Sequence, residues 1–140
     1  MQQLGVPQKC PRKIECGMKT ILLIENDPAS LVMQSLLLRC FGYSVLEADS
    51  RGEAWQVCNE HQGPIHIVMT LHNDSTREFV ARLKLLYPQI RAILCVSEAA
   101  PAELADMPCE YAFLQVPYRA DALACTIRGL LDGSFTASVA

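Results

Sequence analysis

Residues 19–28, KTILLIENDP, decide how the rest of the chain is read. An apolar run from Ile21 to Ile24 stops abruptly at Glu25, Asn26 and Asp27, and Pro28 opens a long helical pattern. An uninterrupted apolar run of this kind predicts a strand buried on both faces, as in parallel sheets with helices above and below. Asp27 suits a helix N-cap, and Pro28 suits the first helical position, where its missing N–H is not needed. The polar residues therefore stand at the carboxyl edge of a central strand. In open α/β sheets that edge is where ligands and chemistry are usually placed.

Beyond Pro28, the apolar residues Leu31, Val32, Leu36, Leu37, Leu38 and Phe41 recur at helical spacing, and Gly42 closes the helix. Tyr43 to Ala48 reads as a second strand. Ser50 to Glu53 is a capping-box pattern that starts a helix running to about Glu60. Gly63 and Pro64 break the chain before a third strand, Ile65 to Thr70. Ser75 to Glu78 repeats the capping-box pattern, and Phe79, Leu83 and Leu86 form the stripe of a helix that ends before Pro88. Arg91 to Val96 and Tyr111 to Gln115 are the fourth and fifth strands. Between them, Pro101 to Asp106 allows one or two helical turns before Pro108. The last helix covers Ala120 to Leu131 with Leu123, Ile127, Leu130 and Leu131 inward, and Gly133 closes it.

Alternating strands and helices with short connections predict an α/β, flavodoxin-like (βα)5 three-layer sandwich. Right-handed crossovers and one reversal after the second strand give a parallel five-stranded sheet of order 2-1-3-4-5, with a shortened fourth helix. Glu25 and Asn26 then lie beside the residues that follow Thr70.

The chain of 140 residues is expected to be one domain over residues 19–133, with a flexible leader at 1–18 and a frayed tail at 134–140. Met18 directly precedes the first strand, so a start there would leave the domain complete. Hydrophobic residues make up 51%, charged residues 19%, and the formal net charge is −3, which excludes a disordered or nucleic-acid-coating chain. No run reaches membrane-spanning length, and the first residues lack the apolar core of a signal peptide. A cytoplasmic protein with neither a membrane nor a nucleic-acid partner is the expectation.

Of the seven cysteines, Cys40, Cys58, Cys95 and Cys125 fall where a small apolar residue would serve, Cys10 and Cys16 lie in the leader, and Cys109 lies in a loop. The number is odd and there is no C-x-x-C pair. Reduced, buried or incidental thiols are expected rather than metal ligands or a disulfide framework.

Over residues 19–133 the chain resembles the receiver domain of bacterial response regulators, the CheY-like family of two-component systems. The resemblance is carried by KTILLIENDP, GYSVLEADSRGEAW, GPIHIVMT and FLQVPYRADALACTIRGLLDG. It implies transfer of a phosphoryl group from a histidine kinase to an aspartate at the end of the third strand. Two acids after the first strand would hold Mg²⁺, and a hydroxyl after the fourth strand and a lysine after the fifth would complete the site. In this chain the resemblance places Glu25 and Asn26 at the acid positions, Leu71 at the acceptor, Ser97 at the hydroxyl, Val116 at the lysine and Phe113 at the switch aromatic.

Leucine has no nucleophilic oxygen, valine cannot pair with a phosphoryl oxygen, and Asn26 is neutral. The resemblance therefore implies a degenerate pocket with no catalytic residue and no tight Mg²⁺ binding; Glu25 is a weak remaining metal ligand. The segment from Leu71 to Phe79 is short and lacks the family's methionine-proline turn. The stretch from Ser97 to Gln115 is also compressed, at the face receivers generally use for dimerisation and output.

The polar residues also have plainer readings. Glu25 and Asn26 can solvate a strand end, Asp27 can cap a helix, and Ser97 can bond local backbone. His66 reads as a packed or edge histidine, Cys95 and Trp55 as core, and His72, Asn73 and Asp74 as a polar cluster beside the old site. The expectation is a non-enzymatic, stand-alone pseudo-receiver that requires no cofactor and acts by contact with proteins, a histidine kinase or an output protein among them. A homodimer through the fifth strand and last helix is part of it. Two alternatives stay open: an active receiver phosphorylated at an unconventional site such as Asp74, and a small-ligand sensor at the sheet's carboxyl edge.

Overall fold

The computed structural model describes residues 19–97 and 111–132. Among the described residues nine elements follow one another: β1 (Thr20–Ile24), α1 (Pro28–Cys40), β2 (Ser44–Ala48), α2 (Arg51–Glu60), β3 (Ile67–Leu71), α3 (Thr76–Leu86), β4 (Arg91–Val96), β5 (Tyr111–Gln115) and α4 (Ala120–Asp132). The strands form one parallel sheet in the order β2-β1-β3-β4-β5, which is the flavodoxin-like arrangement expected from the sequence. The leader, the short helix expected over 101–106, Cys10, Cys16, Cys109, Gly133 and the tail lie outside the described residues. No helix among the described residues is long and apolar enough to cross a membrane.

The period-2 alternation of strand side chains splits the core into two layers. Leu22, Ile24, Val68, Leu94 and Phe113 pack on one face with Ala54, Cys58, Phe79, Val80 and Leu83 of α2 and α3. Ile21, Leu23, Met69, Ile93, Cys95 and Leu114 pack on the other with Leu38 of α1 and Leu123, Ile127 and Leu130 of α4. A strand with both faces covered needs apolar residues at every position, which is why β1 reads as an unbroken run. Leu131, expected inward, is half-buried at the rim of the second layer.

The ends of α1 match its sequence. Asp27 accepts a hydrogen bond from the Ser30 N–H (2.9 Å), with Pro28 next to it. At the far end Gly42 adopts φ +98°, while the Gly42 and Tyr43 N–H groups bond the Arg39 and Leu38 carbonyls. Only glycine takes that backbone conformation without strain. The apolar stripe of α1 is wider than its buried face, however: Leu38 is buried, but Val32, Met33 and Leu36 are exposed.

Four further expectations need correction. β3 begins at Ile67 and ends at Leu71, so the acceptor position closes the strand instead of following it; Ile65 is buried just ahead of the strand. At α2 Ser50 caps the Glu53 N–H (3.0 Å), but Glu53 reaches the Asp49 N–H (2.6 Å), one residue before the position a capping box would use. At α3 the Ser75–Glu78 pattern makes no box at all: Ser75 gives no side-chain cap, and the Thr76 hydroxyl accepts from the Asn73 N–H (2.8 Å) instead. Leu86, expected in the stripe of α3, is exposed, and the buried stripe is Phe79, Val80 and Leu83.

Candidate functional site

The carboxyl ends of β1, β3, β4 and β5 frame a crevice with two chambers. The first, about 250 Å³, is lined by Glu25, Gln34, Leu71, Cys95, Val116 and Tyr118, among others, on the α1 and α4 side. The second, about 390 Å³, opens toward α2 and includes Glu25, Asn26, Asp49, Arg51, Leu71 and Asn73. Glu25, Asn26, Leu71 and Val116, separated by up to 91 positions in sequence, therefore meet at one edge. Leu71 is 57% exposed and borders both chambers.

The register explains the convergence. Leu71 of β3 stands opposite Cys95 of β4, and Cys95 opposite Leu114 of β5. The His72 N–H continues the ladder to the Cys95 carbonyl (2.8 Å), and the Val116 N–H continues it to the Val96 carbonyl (2.7 Å). The Val116–Pro117 peptide bond is cis. Ser97 follows β4, is exposed, and lines neither chamber. Asp74 is exposed on the turn after β3 and likewise lines neither. Phe113 is buried in the α2–α3 layer, and its ring meets that of His72 edge to face at 5.2 Å.

Glu25 already has protein donors. One carboxylate oxygen accepts from the Asp27 N–H (3.1 Å) and the other from the Gln34 side-chain amide (2.9 Å). The Gln34 carbonyl in turn accepts from the Tyr118 hydroxyl (2.7 Å). This relay ties the start of α1 to the segment after β5 across the mouth of the first chamber. Burial, with the Glu25 charge added to it, pushes the Cys95 thiol up to about 12, so it stays neutral and inert. Burial also raises the Tyr118 hydroxyl, followed by its electrostatic interactions with Cys95 and then with Glu25.

Across the crevice stands Arg51, from the first turn of α2. Its guanidinium donates to the Asn73 side-chain oxygen (3.2 Å), Ser75 Oγ (2.8 Å), the Leu71 carbonyl (3.0 Å) and Thr76 Oγ1 (3.0 Å), and lies over the Phe79 ring at 4.9 Å. Trp55, expected in the core, is half-buried, with its ring against Phe79 and under Arg82. His66 sits just ahead of β3, where its Nδ1 accepts the Thr20 N–H (2.9 Å). Its burial, and then the nearby Lys19 charge, lower its pKa. Cys58 and Cys95 are buried thiols, while Cys40 and Cys125 are exposed.

The set of groups at this edge is poor for a metal. Mg²⁺ asks for several oxygen ligands, usually with carboxylates among them. Here Asn26 is neutral, Leu71 has no side-chain oxygen, and the Glu25 carboxylate is engaged by Gln34 and Asp27. Among the described residues no group of three or more His, Cys, Asp or Glu stands where it could hold a metal ion.

Gln34, Tyr118 and Arg51 were not singled out by the sequence reading. Gln34 and Tyr118 meet across 84 positions, which no local pattern encodes. Arg51 did carry a signal: a cation in the first turn of a helix opposes the helix dipole and asks for a tertiary reason.

The arrangement of sheet and helices is that of response-regulator receiver domains. A receiver protein from Sinorhizobium medicae WSM419 superposes with a TM-score of 0.71 at 17% identity, covering 86% of this chain and all of that one. The receiver domain of hybrid histidine kinase CckA gives 0.64 at 21% identity, covering 80% of this chain and 98% of that one. In sequence, the chain is 27% identical over 121 residues to sensor kinase CckA of Brucella abortus (strain 2308), covering 83% of this chain. It spans only 13% of that kinase's length. No family model matches the chain.

Proposed function

We propose that this chain is a pseudo-receiver, a module of two-component signalling that acts through protein contacts without accepting a phosphoryl group. The observation that carries this reading is Leu71 at the end of β3, a side chain without a nucleophilic oxygen at the place where a receiver of this fold would be phosphorylated. Val116 and Asn26 support it, because neither brings the charge that would balance a phosphoryl group or hold Mg²⁺. The module is non-enzymatic, needs no cofactor and works in the cytoplasm. Its partner is a protein, with a histidine kinase or an output protein as the class that fits the likeness to the CckA receiver.

On this reading, affinity for a partner kinase is independent of phosphorylation. Binding to a histidine kinase from the same cell, measured with and without acetyl phosphate and Mg²⁺, gives equal affinities. A phosphate-dependent affinity that arises on this chain, traced by mass to Asp74 or a neighbour, would contradict the reading. Sedimentation over a range of concentrations tests the homodimer.

A further inference from the structure

Arg51 occupies the first helical position of α2, where the dipole disfavours a cation, and its side chain leaves the helix to cross to the loop between β3 and α3. Its two terminal nitrogens make four hydrogen bonds of 2.8–3.2 Å to atoms of Leu71, Asn73, Ser75 and Thr76. All four acceptors are neutral oxygens. Among the described residues no carboxylate pairs with this guanidinium. Phe79 beneath it adds a cation–π contact.

The loop has modest support of its own. The Asn73 side chain accepts the Ser75 N–H (3.0 Å), Thr76 Oγ1 accepts the Asn73 N–H (2.8 Å), and the Thr76 N–H reaches the Asn73 carbonyl (3.1 Å). Ser75 gives α3 no side-chain cap. Arg51 bonds the Asn73 and Thr76 oxygens that make these turns, together with the last carbonyl of β3. A single planar fork therefore joins four backbone segments: the start of α2, the end of β3, the loop and the first turn of α3. Guanidinium geometry suits this; a point-charge ammonium could satisfy only part of it.

We propose that Arg51 is a built-in cation that latches the β3–α3 loop to α2 and holds the crevice in one shape without a metal ion or a phosphoryl group. The latch deepens the pseudo-receiver reading: a module that is never switched by phosphorylation keeps its carboxyl edge ordered from within. Arg51 lines the same chamber as Glu25 and Asp49, so a divalent cation approaching those two carboxylates also meets a positive charge on the facing wall.

The test is amide hydrogen exchange on the full chain and on Arg51→Met and Arg51→Lys. Arg51→Met is expected to speed exchange of the Asn73, Ser75 and Thr76 amides by about tenfold or more, as loss of charge-assisted bonds from a local unit should. Amides of β1 and β4 keep their native rates. Arg51→Lys falls between, because it keeps the charge and loses the fork. Unchanged loop exchange in Arg51→Met, a uniform rise through the whole sheet, or full protection in Arg51→Lys would each overturn the latch. No phosphate or partner enters the measurement, so its failure leaves the pseudo-receiver reading standing, and failure of that reading leaves the latch standing.

Discussion

The two walls of the crevice handle charge in opposite ways. On the α1 wall a carboxylate, Glu25, is held by an amide, Gln34, which is held by a hydroxyl, Tyr118, over an apolar floor of Leu71, Cys95 and Val116. On the α2 wall a cation, Arg51, is held by four neutral oxygens. Glu25 and Arg51 are each already engaged by protein, and Asp49 is a further carboxylate on the α2 side. A site built for phosphoryl transfer keeps charged groups available for metal and phosphate. Here such a ligand would first have to break an internal network.

The sheet beneath the crevice is common to both walls, so the largest effect belongs there. Leu94, fully buried in β4, truncated to alanine should cost about 2–5 kcal/mol in a urea titration. If the walls are parts of one cooperative unit, probes on α1 and α2 will lose structure at the same midpoint.

Alkali should act next, and through the α1 wall. Cys95 is raised in the fold above the ordinary thiol value of 9.0, to about 12. The folded chain therefore holds a proton that the unfolded chain releases. The stability this contributes is fully present below the unfolded value and is lost as pH rises from about 9 to about 12. Cys95→Ala should flatten that part of the stability profile; an unchanged slope would remove Cys95 from the α1 wall's electrostatics.

Cutting each wall separately sharpens the comparison. Arg51→Met should lose about 1–2 kcal/mol at this partly exposed position, and Gln34→Ala about 1 kcal/mol. The two losses should add to within about 0.5 kcal/mol if the walls are independent. A larger coupling energy in the double variant would show that the networks communicate through Leu71. Smallest are the caps: Asp27→Ala should cost about 1 kcal/mol and Ser75→Ala less, since Asp27 caps its helix with a side chain and Ser75 does not.

How far the sequence could be read depends on whether the deciding interactions are local. β1 is recognisable because burial on both faces forces an unbroken apolar run, and Asp27, Pro28 and Gly42 mark the ends of α1 by their own chemistry. The sheet order follows from the alternation of elements and the handedness of crossovers. Glu25 and Asn26 could be placed because they follow a strand end that the sequence marks, whereas Leu71 and Val116 were placed by the resemblance to receiver domains. The bonds among their neighbours could not be placed. Arg51 meets its acceptors 20–25 positions away, and Gln34 meets Tyr118 from the far end of the domain, so both pairings exist only after the sheet has formed. Ser75–Glu78 misled because the Ser75 hydroxyl is taken by the Arg51 guanidinium and the Asn73 side chain and gives α3 no cap. In α1, Val32 and Leu36 follow helical spacing yet face solvent, so periodicity located the helix without fixing how wide its buried face is.

Intact-mass spectrometry after incubation with acetyl phosphate and Mg²⁺, beside a conventional receiver treated identically, tests the central claim most directly. No added phosphate on this chain while the control is labelled is the expected result, because Leu71 offers no oxygen to attack phosphorus. A single acid-labile phosphate on the native chain would contradict it, and would move the site to an aspartate outside both chambers, Asp74 first.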